Sequence, residues 1–144
     1  MSDYTNIEKT LVDQLKTLPD LPQLILENEE GYLQSDDAVG TRTSSYVRTY
    51  MEPTRSGVGS IGVGGEDIYP VTFLIQLFSV TGKGTVNTNN FADDVIKLFA
   101  RGKRLPFTNG CVDVVRAYRT GNVINTNYVQ CTITIEAQSF IQRD

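Results

Sequence analysis

Gly82, Lys83, Gly84 and Thr85 place a lysine between glycines ahead of a hydroxyl, the side-chain set of a phosphate-binding loop. Such a loop needs another glycine five residues before the one preceding the lysine, and Leu77 stands there. It also needs a helix that begins at the lysine, whereas Asn87, Thr88, Asn89 and Asn90 intervene before helical periodicity starts. A turn with a solvated lysine accounts for the run with fewer assumptions. Acid–base chemistry is equally constrained, because the 144 residues include no histidine. A serine or cysteine nucleophile activated by a histidine base is therefore excluded. The adjacent carboxylates Glu29–Glu30, Asp36–Asp37 and Asp93–Asp94 do not face one another on a helix or strand and read as solvated charge. Cys111 and Cys131 fall in strand-like runs and read as reduced core residues, with a disulfide or metal role as the alternative. No catalytic, cofactor-binding or metal-ligating residue is assigned. Seventeen acidic against thirteen basic side chains, a net charge of -4, oppose general affinity for a phosphate backbone but leave room for a local basic patch.

Two features point to binding between macromolecules. Tyr46, Arg48 and Tyr50 alternate along one face of a strand flanked by Arg42 and Arg55. Tyrosine and arginine contribute most when trapped between two proteins. A solvated sheet face with its arginine paired to a carboxylate explains the same residues equally well. The second feature is the stretch Arg55 to Asp67, in which five of thirteen residues are glycine and Val58, Ile61 and Val63 are spaced between them. Ordering backbone costs about 1–2 kcal/mol per residue, and a segment with so little side-chain area cannot offset that alone. The expectation is a loop over about 54–67 that is mobile in the isolated chain and orders on a partner. The contact set is thus Arg42, Tyr46, Arg48, Tyr50, Arg55, Val58, Ile61 and Val63.

The elements that must position these residues follow from periodicity. Tyr4, Ile7, Leu11, Leu15 and Leu18 predict a helix from about Asp3 to Leu18, capped by Ser2 or by a Thr5–Glu8 capping box and stopped by Pro19. Gln23 to Glu27 predicts a first strand, Asn28 to Thr43 an exposed connection, and Tyr46 to Glu52 a second strand ended by Pro53. Tyr69 to Phe78 alternates as a long central strand with Pro70 near its start. A second helix, capped by Thr88 or Asn89, carries Phe91, Val95, Leu98 and Phe99 on one side. Its expected first turn holds Asp93 and Asp94; Lys97, Arg101, Lys103 and Arg104 gather at its end and Gly102 is the C-cap. Cys111 to Arg119 and Tyr128 to Phe140 close the chain as two strands around the turn-rich Thr120 to Asn127. The fold class is α+β: an antiparallel or mixed sheet of about five strands with two helices packed on it, in the order α-β-β-β-α-β-β, as one domain over 1–144. The N-terminus lacks the pattern of an export signal and no stretch is apolar enough to span a membrane, so a soluble, unexported protein is expected.

In order and spacing, the whole pattern resembles the tail terminator proteins of long-tailed bacteriophages. The resemblance is carried by the N-terminal helix, QLILEN followed by Tyr32, and YVRTYMEPTR ending its strand at Pro53. It continues through the glycine loop leading into YPVTFLIQLF, then GKGT, NFADDVIKLFARGKRL and the paired closing strands. It implies a structural virion protein that forms a hexameric ring with copies of itself on the tail tube protein, stops tube growth and presents a surface to a head-completion or neck protein. It implies a place at the head-proximal end of the tail, host cytoplasm during assembly, no enzyme activity or cofactor, and DNA passing through without specific binding. A head-closure or neck connector is the alternative within the same machinery, and a small nucleotide-binding protein or enzyme is the distant one.

Overall fold

The computed structural model describes residues 3–19, 21, 23–25, 45–53, 57–58, 65–80, 86–121, 123–124 and 128–142. Its spine is a pair of fifteen-residue antiparallel strands, β4 (Glu66–Val80) and β8 (Tyr128–Gln142), in unbroken register from Glu66↔Gln142 to Val80↔Tyr128. Strict alternation explains the pairing. Val71, Phe73, Ile75 and Leu77 meet Ala137, Ile135, Ile133 and Cys131 on one face, all buried. Full burial of one such large apolar side chain stabilises by about 1.5–3 kcal/mol.

Shorter strands flank the spine. β2 (Tyr46–Pro53) and then β3 (Gly57–Val58) pair along β4, β1 (Gln23–Ile25) adds to β2 in parallel, and β6 (Gly110–Arg119) and then β7 (Val123–Ile124) pair along β8. β5 (Arg104–Phe107) closes the far edge, giving the order β1-β2-β4-β8-β6-β5. All five expected strands are present, and β1 makes the sheet mixed. The additions are β3, β5 and β7, and the central strand begins at Glu66 instead of Tyr69. Pro70 is therefore several residues inside β4, between the part of the strand that pairs with β2 and the part that pairs with β3, and opposite Gln138 of β8.

Both described helices lie on the same face. α1 (Asp3–Leu15) buries Ile7, Leu11, Val12 and Leu15, then tightens through i→i+3 bonds at Thr17 and Leu18 before Pro19. Thr5 is inside this helix, so the Thr5–Glu8 pair is not its capping box; Ser2 lies outside the described residues. α2 (Val86–Leu98) buries Ala92 and Val95, and Phe99 just beyond it sits fully buried near Phe73, ring centroids 6.3 Å apart. It starts earlier than periodicity predicts. Thr88 is thus within its first turn, and Asp93 and Asp94 lie at mid-helix instead of at its positive end. Gln14 of α1 donates to the Leu98 carbonyl at 3.1 Å, satisfying one of the orphan acceptors at the end of α2.

Gly102 serves the sheet, not the helix. Lys103 N–H bonds the Ala100 carbonyl, while Gly102 N–H and the Lys103 carbonyl both pair with Val114. A φ of 84° at Gly102 fits the third position of a type II turn and the first of a glycine bulge. This turn leads into the β5–β6 hairpin, in which Pro106 occupies the non-hydrogen-bonded register opposite Cys111. Its ring stands where an outward N–H would otherwise be.

Gly110 closes that hairpin so tightly that a Cβ there would lie 2.3 Å from the Phe140 carbonyl oxygen, whereas one at Gly121 would meet nothing within 4 Å. Gly110→Ala is expected to destabilise by about 1–3 kcal/mol and Gly121→Ala by less than about 0.5 kcal/mol, as measured by urea unfolding.

Candidate functional site

Several charged side chains of the sheet bond one another or polar neighbours. Arg104 grips Asp113 across β5–β6 through Nε–Oδ1 at 2.8 Å and Nη2–Oδ2 at 2.9 Å, which holds the Asp113 carboxyl below its ordinary range. Arg116 donates to Glu136 across β6–β8 and lies over the Tyr118 ring, 5.8 Å from its centroid. Arg119 donates to Asn89 at 2.8 Å, tying the end of β6 to the start of α2. Tyr69 donates to Asp3 at 3.1 Å and meets Tyr4 edge to face; burial first, and then that bond, raises its phenol. Burial also pushes up both free thiols, Cys111 and Cys131, leaving them protonated and poorly nucleophilic at neutral pH. Among the described residues, no three His, Cys, Asp or Glu side chains converge on a common point.

Shallow hollows mark the described surface, among them the three that follow. A groove of about 600 Å³ separates α1 from β5, with Asn6, Thr10, Gln14 and Thr17 on one wall and Leu105, Pro106 and Phe107 on the other. A second, of about 440 Å³, holds the Arg104–Asp113 pair beside Glu66 and Cys111. A third, of about 230 Å³, opens between Pro70, Thr72, Val115 and Glu136 on the side of the sheet away from the helices. None gathers the apolar enclosure with convergent polar groups that a small ligand requires.

The side of the sheet away from the described helices carries the predicted tyrosine–arginine strand. Tyr46, Arg48 and Tyr50 do share one face of β2, while Val47, Thr49 and Met51 point to the core side. Tyr46 is fully buried and stacks on Phe78, ring centroids 4.7 Å apart and 7° from parallel. Arg48 lies over the same Phe78 ring at 4.9 Å and donates to Gln76 at 2.8 Å. Tyr46 is thus enclosed, while Arg48 and Tyr50 are half-buried. Val58 lies in β3, its backbone opposite Asp67; Arg42, Arg55, Ile61 and Val63 lie outside the described residues, as do 59–64 of the glycine stretch and the Asn28–Thr43 connection.

Sequence reasoning missed the other flank of this face. A β-bulge between Val114 and Arg116 turns Val115 outward and shifts the alternation, so Arg116 and Tyr118 join Glu136 and Thr134 on the side away from the described helices. Val115 and Tyr118 are 41% and 44% exposed. The hairpin signal was legible in Thr108–Asn109 between Phe107 and Gly110, but the run of basic residues before it reads first as the end of a helix.

Comparison with known proteins decides among assembly components. A family model described as phage tail terminator protein matches residues 6–136, nearly the whole described fold. The chain belongs to the phage tail terminator family. A solved structure shares its fold at a TM-score of 0.61 and 17% identity, covering 96% of this chain and 92% of the other. No curated protein matches. This tail terminator chain is accordingly a structural component of the phage tail, a virion part that associates with other tail components. No helix among its described residues is long and apolar enough to cross a membrane.

The Arg104–Asp113 pair predicts a pH signature. Because the folded carboxyl titrates below its unfolded value of about 3.9, the pair's contribution is complete above that value and is lost as pH falls through the folded one. Asp113→Asn should therefore be less stable than the parent at pH 7, and the gap should close toward pH 3, in paired urea titrations.

Proposed function

We propose that this protein caps the tail tube as a hexameric ring of identical copies, halts tube polymerisation and offers the surface on which the head is joined. The family match over residues 6–136 carries the reading. The structure is compatible with it on physical grounds. Stopping a polymer requires a shape that fits the last ring of the tube and does not reproduce the surface onto which the next would add. It requires no bond chemistry, and the ion pairs described above are engaged in holding strands together.

In this reading Arg48 and Tyr50, displayed by β2, contact a neighbouring copy or the tube, with Arg42 and Arg55 flanking them and Tyr46 backing them. The glycine stretch supplies an arm with Val58, Ile61 and Val63 as apolar contacts, where small residues let backbone approach backbone. Its partners are the tail tube protein on one side and a head-completion or neck protein on the other. It works at the head-proximal end of the tail after assembly in host cytoplasm. A net charge of -4 suits a passage through which DNA slides without sticking.

A phage lacking this gene should make tails of uncontrolled length, few of them joined to heads. Electron micrographs of lysates check this, and tails of normal length joined normally to heads would end the reading. Purified protein mixed with purified tubes should decorate one tube end in negative stain.

A further inference from the structure

We propose that the corner where α2 runs into β5 is a contact for the phosphate backbone of duplex DNA. The location rests on the corner itself; that the polyanion is DNA rests on the tail reading above.

Charge sets this corner apart. Lys97, Arg101, Lys103 and Arg104 are four of the thirteen basic residues, they fall within eight of the 144 positions, and no acidic residue lies among them. All four are exposed. Arg104 is committed to Asp113, so that pair is neutral. Among the described residues, the side chains of the other three make no hydrogen bond or ion pair, and Asp93 and Asp94, exposed a turn further back on α2, bond none of them.

The dipole of α2 does not account for the cluster. Its pull is confined to the last turn of a helix, and this helix ends at Leu98, whose carbonyl already accepts from Gln14. Lys97 lies within that turn, whereas Arg101 and Lys103 lie beyond it. Their backbone is also held in place. Lys103 N–H bonds the Ala100 carbonyl, Gly102 N–H bonds the Val114 carbonyl, and Val114 N–H bonds the Lys103 carbonyl, so the segment is pinned to the end of α2 on one side and to β6 on the other. The cations are therefore presented together on a fixed frame.

The kind of partner follows from what accompanies them. The other exposed residues of the stretch are Ala100 and Gly102, so the corner offers charge and almost no apolar area. Protein interfaces centre on buried aromatic or aliphatic anchors and are poor in lysine. Phosphate backbones are instead held by lysine and arginine, which position a duplex without reading its sequence. Three free cations make a weak, salt-sensitive contact, compatible with an acidic chain of net charge -4 past which DNA slides.

The test follows a labelled mixed-sequence duplex by fluorescence anisotropy with the full-length protein. Binding should weaken with salt, log K falling against log salt with a slope of about -2.7, from about 0.9 for each of three contacts. Lys97→Gln/Lys103→Gln should bind at least about tenfold more weakly at about 50 mM salt and show a slope of about -0.9. Lys9→Gln/Lys16→Gln removes the same charge from exposed positions of α1 and should keep the parental slope. Thermal melts check that both variants fold. Absence of duplex binding by the parent at about 50 mM salt, or a parental slope in the corner variant, would overturn the inference. So would polyglutamate that binds the corner more tightly than the duplex does, because an acidic polypeptide would then be the occupant. The measurement needs no tubes. Corner-dependent binding by a protein that never decorates tubes would remove the ring reading and leave the corner's affinity standing, and decoration without duplex binding would do the reverse.

Discussion

The fifteen-residue ladder between β4 and β8 is the constraint on which the rest depends. Every other described strand attaches to one of these two or to a strand already attached, and both described helices pack against the face they make buried. Since side chains alternate with a period of two, a slip of one residue would bring Thr72, Leu74 and Gln76 to the core and send Phe73 and Ile75 outward. Apolar packing therefore fixes the register along the whole length. The same register composes the second face, so the side chains of Thr72, Leu74 and Gln76 and the Arg116–Glu136 pair beside them follow from the alignment that builds the core.

Much of this was legible in the sequence because alternation and helical spacing are strong where segments are long. The stripe Ile7, Leu11, Leu15 and the alternation through Phe73, Ile75 and Leu77 name core residues directly. Local punctuation was less readable. Gly102 looks like a helix stop when Lys97 and Arg101 precede it, yet its positive φ belongs to a turn and bulge that only the partner residue Val114 makes visible. The first turn of α2 was misplaced as well: Asp93 and Asp94 satisfy the dipole rule on paper, but the helix already begins at Val86, seven residues before Asp93. Neither the bulge at Val115 nor the displacement of Arg116 and Tyr118 onto the far face leaves a trace in residue type.

Charge has a corresponding division of labour. Arg104, Arg116 and Arg119 each reach a partner on another element, and the resulting bonds stitch β5 to β6, β6 to β8 and β6 to α2. Their exposed portions are screened by solvent, so they specify alignment more than they add stability. The result is a subunit whose described polar groups mostly answer internal needs, consistent with a family whose members act as structural parts of a tail.

Pro106 gives the fold a way of staying discrete. A sheet that ends in an unguarded strand invites any identical chain to continue it, and continuation of that kind has no natural stopping point. By filling the donor position on the outer side of β5 with a ring, the protein denies the next molecule its backbone handhold, and Gln23–Ile25 at the opposite border is only three residues long. Crowded copies are thereby steered away from runaway ribbons and toward contacts between side-chain surfaces, whose number is limited by geometry.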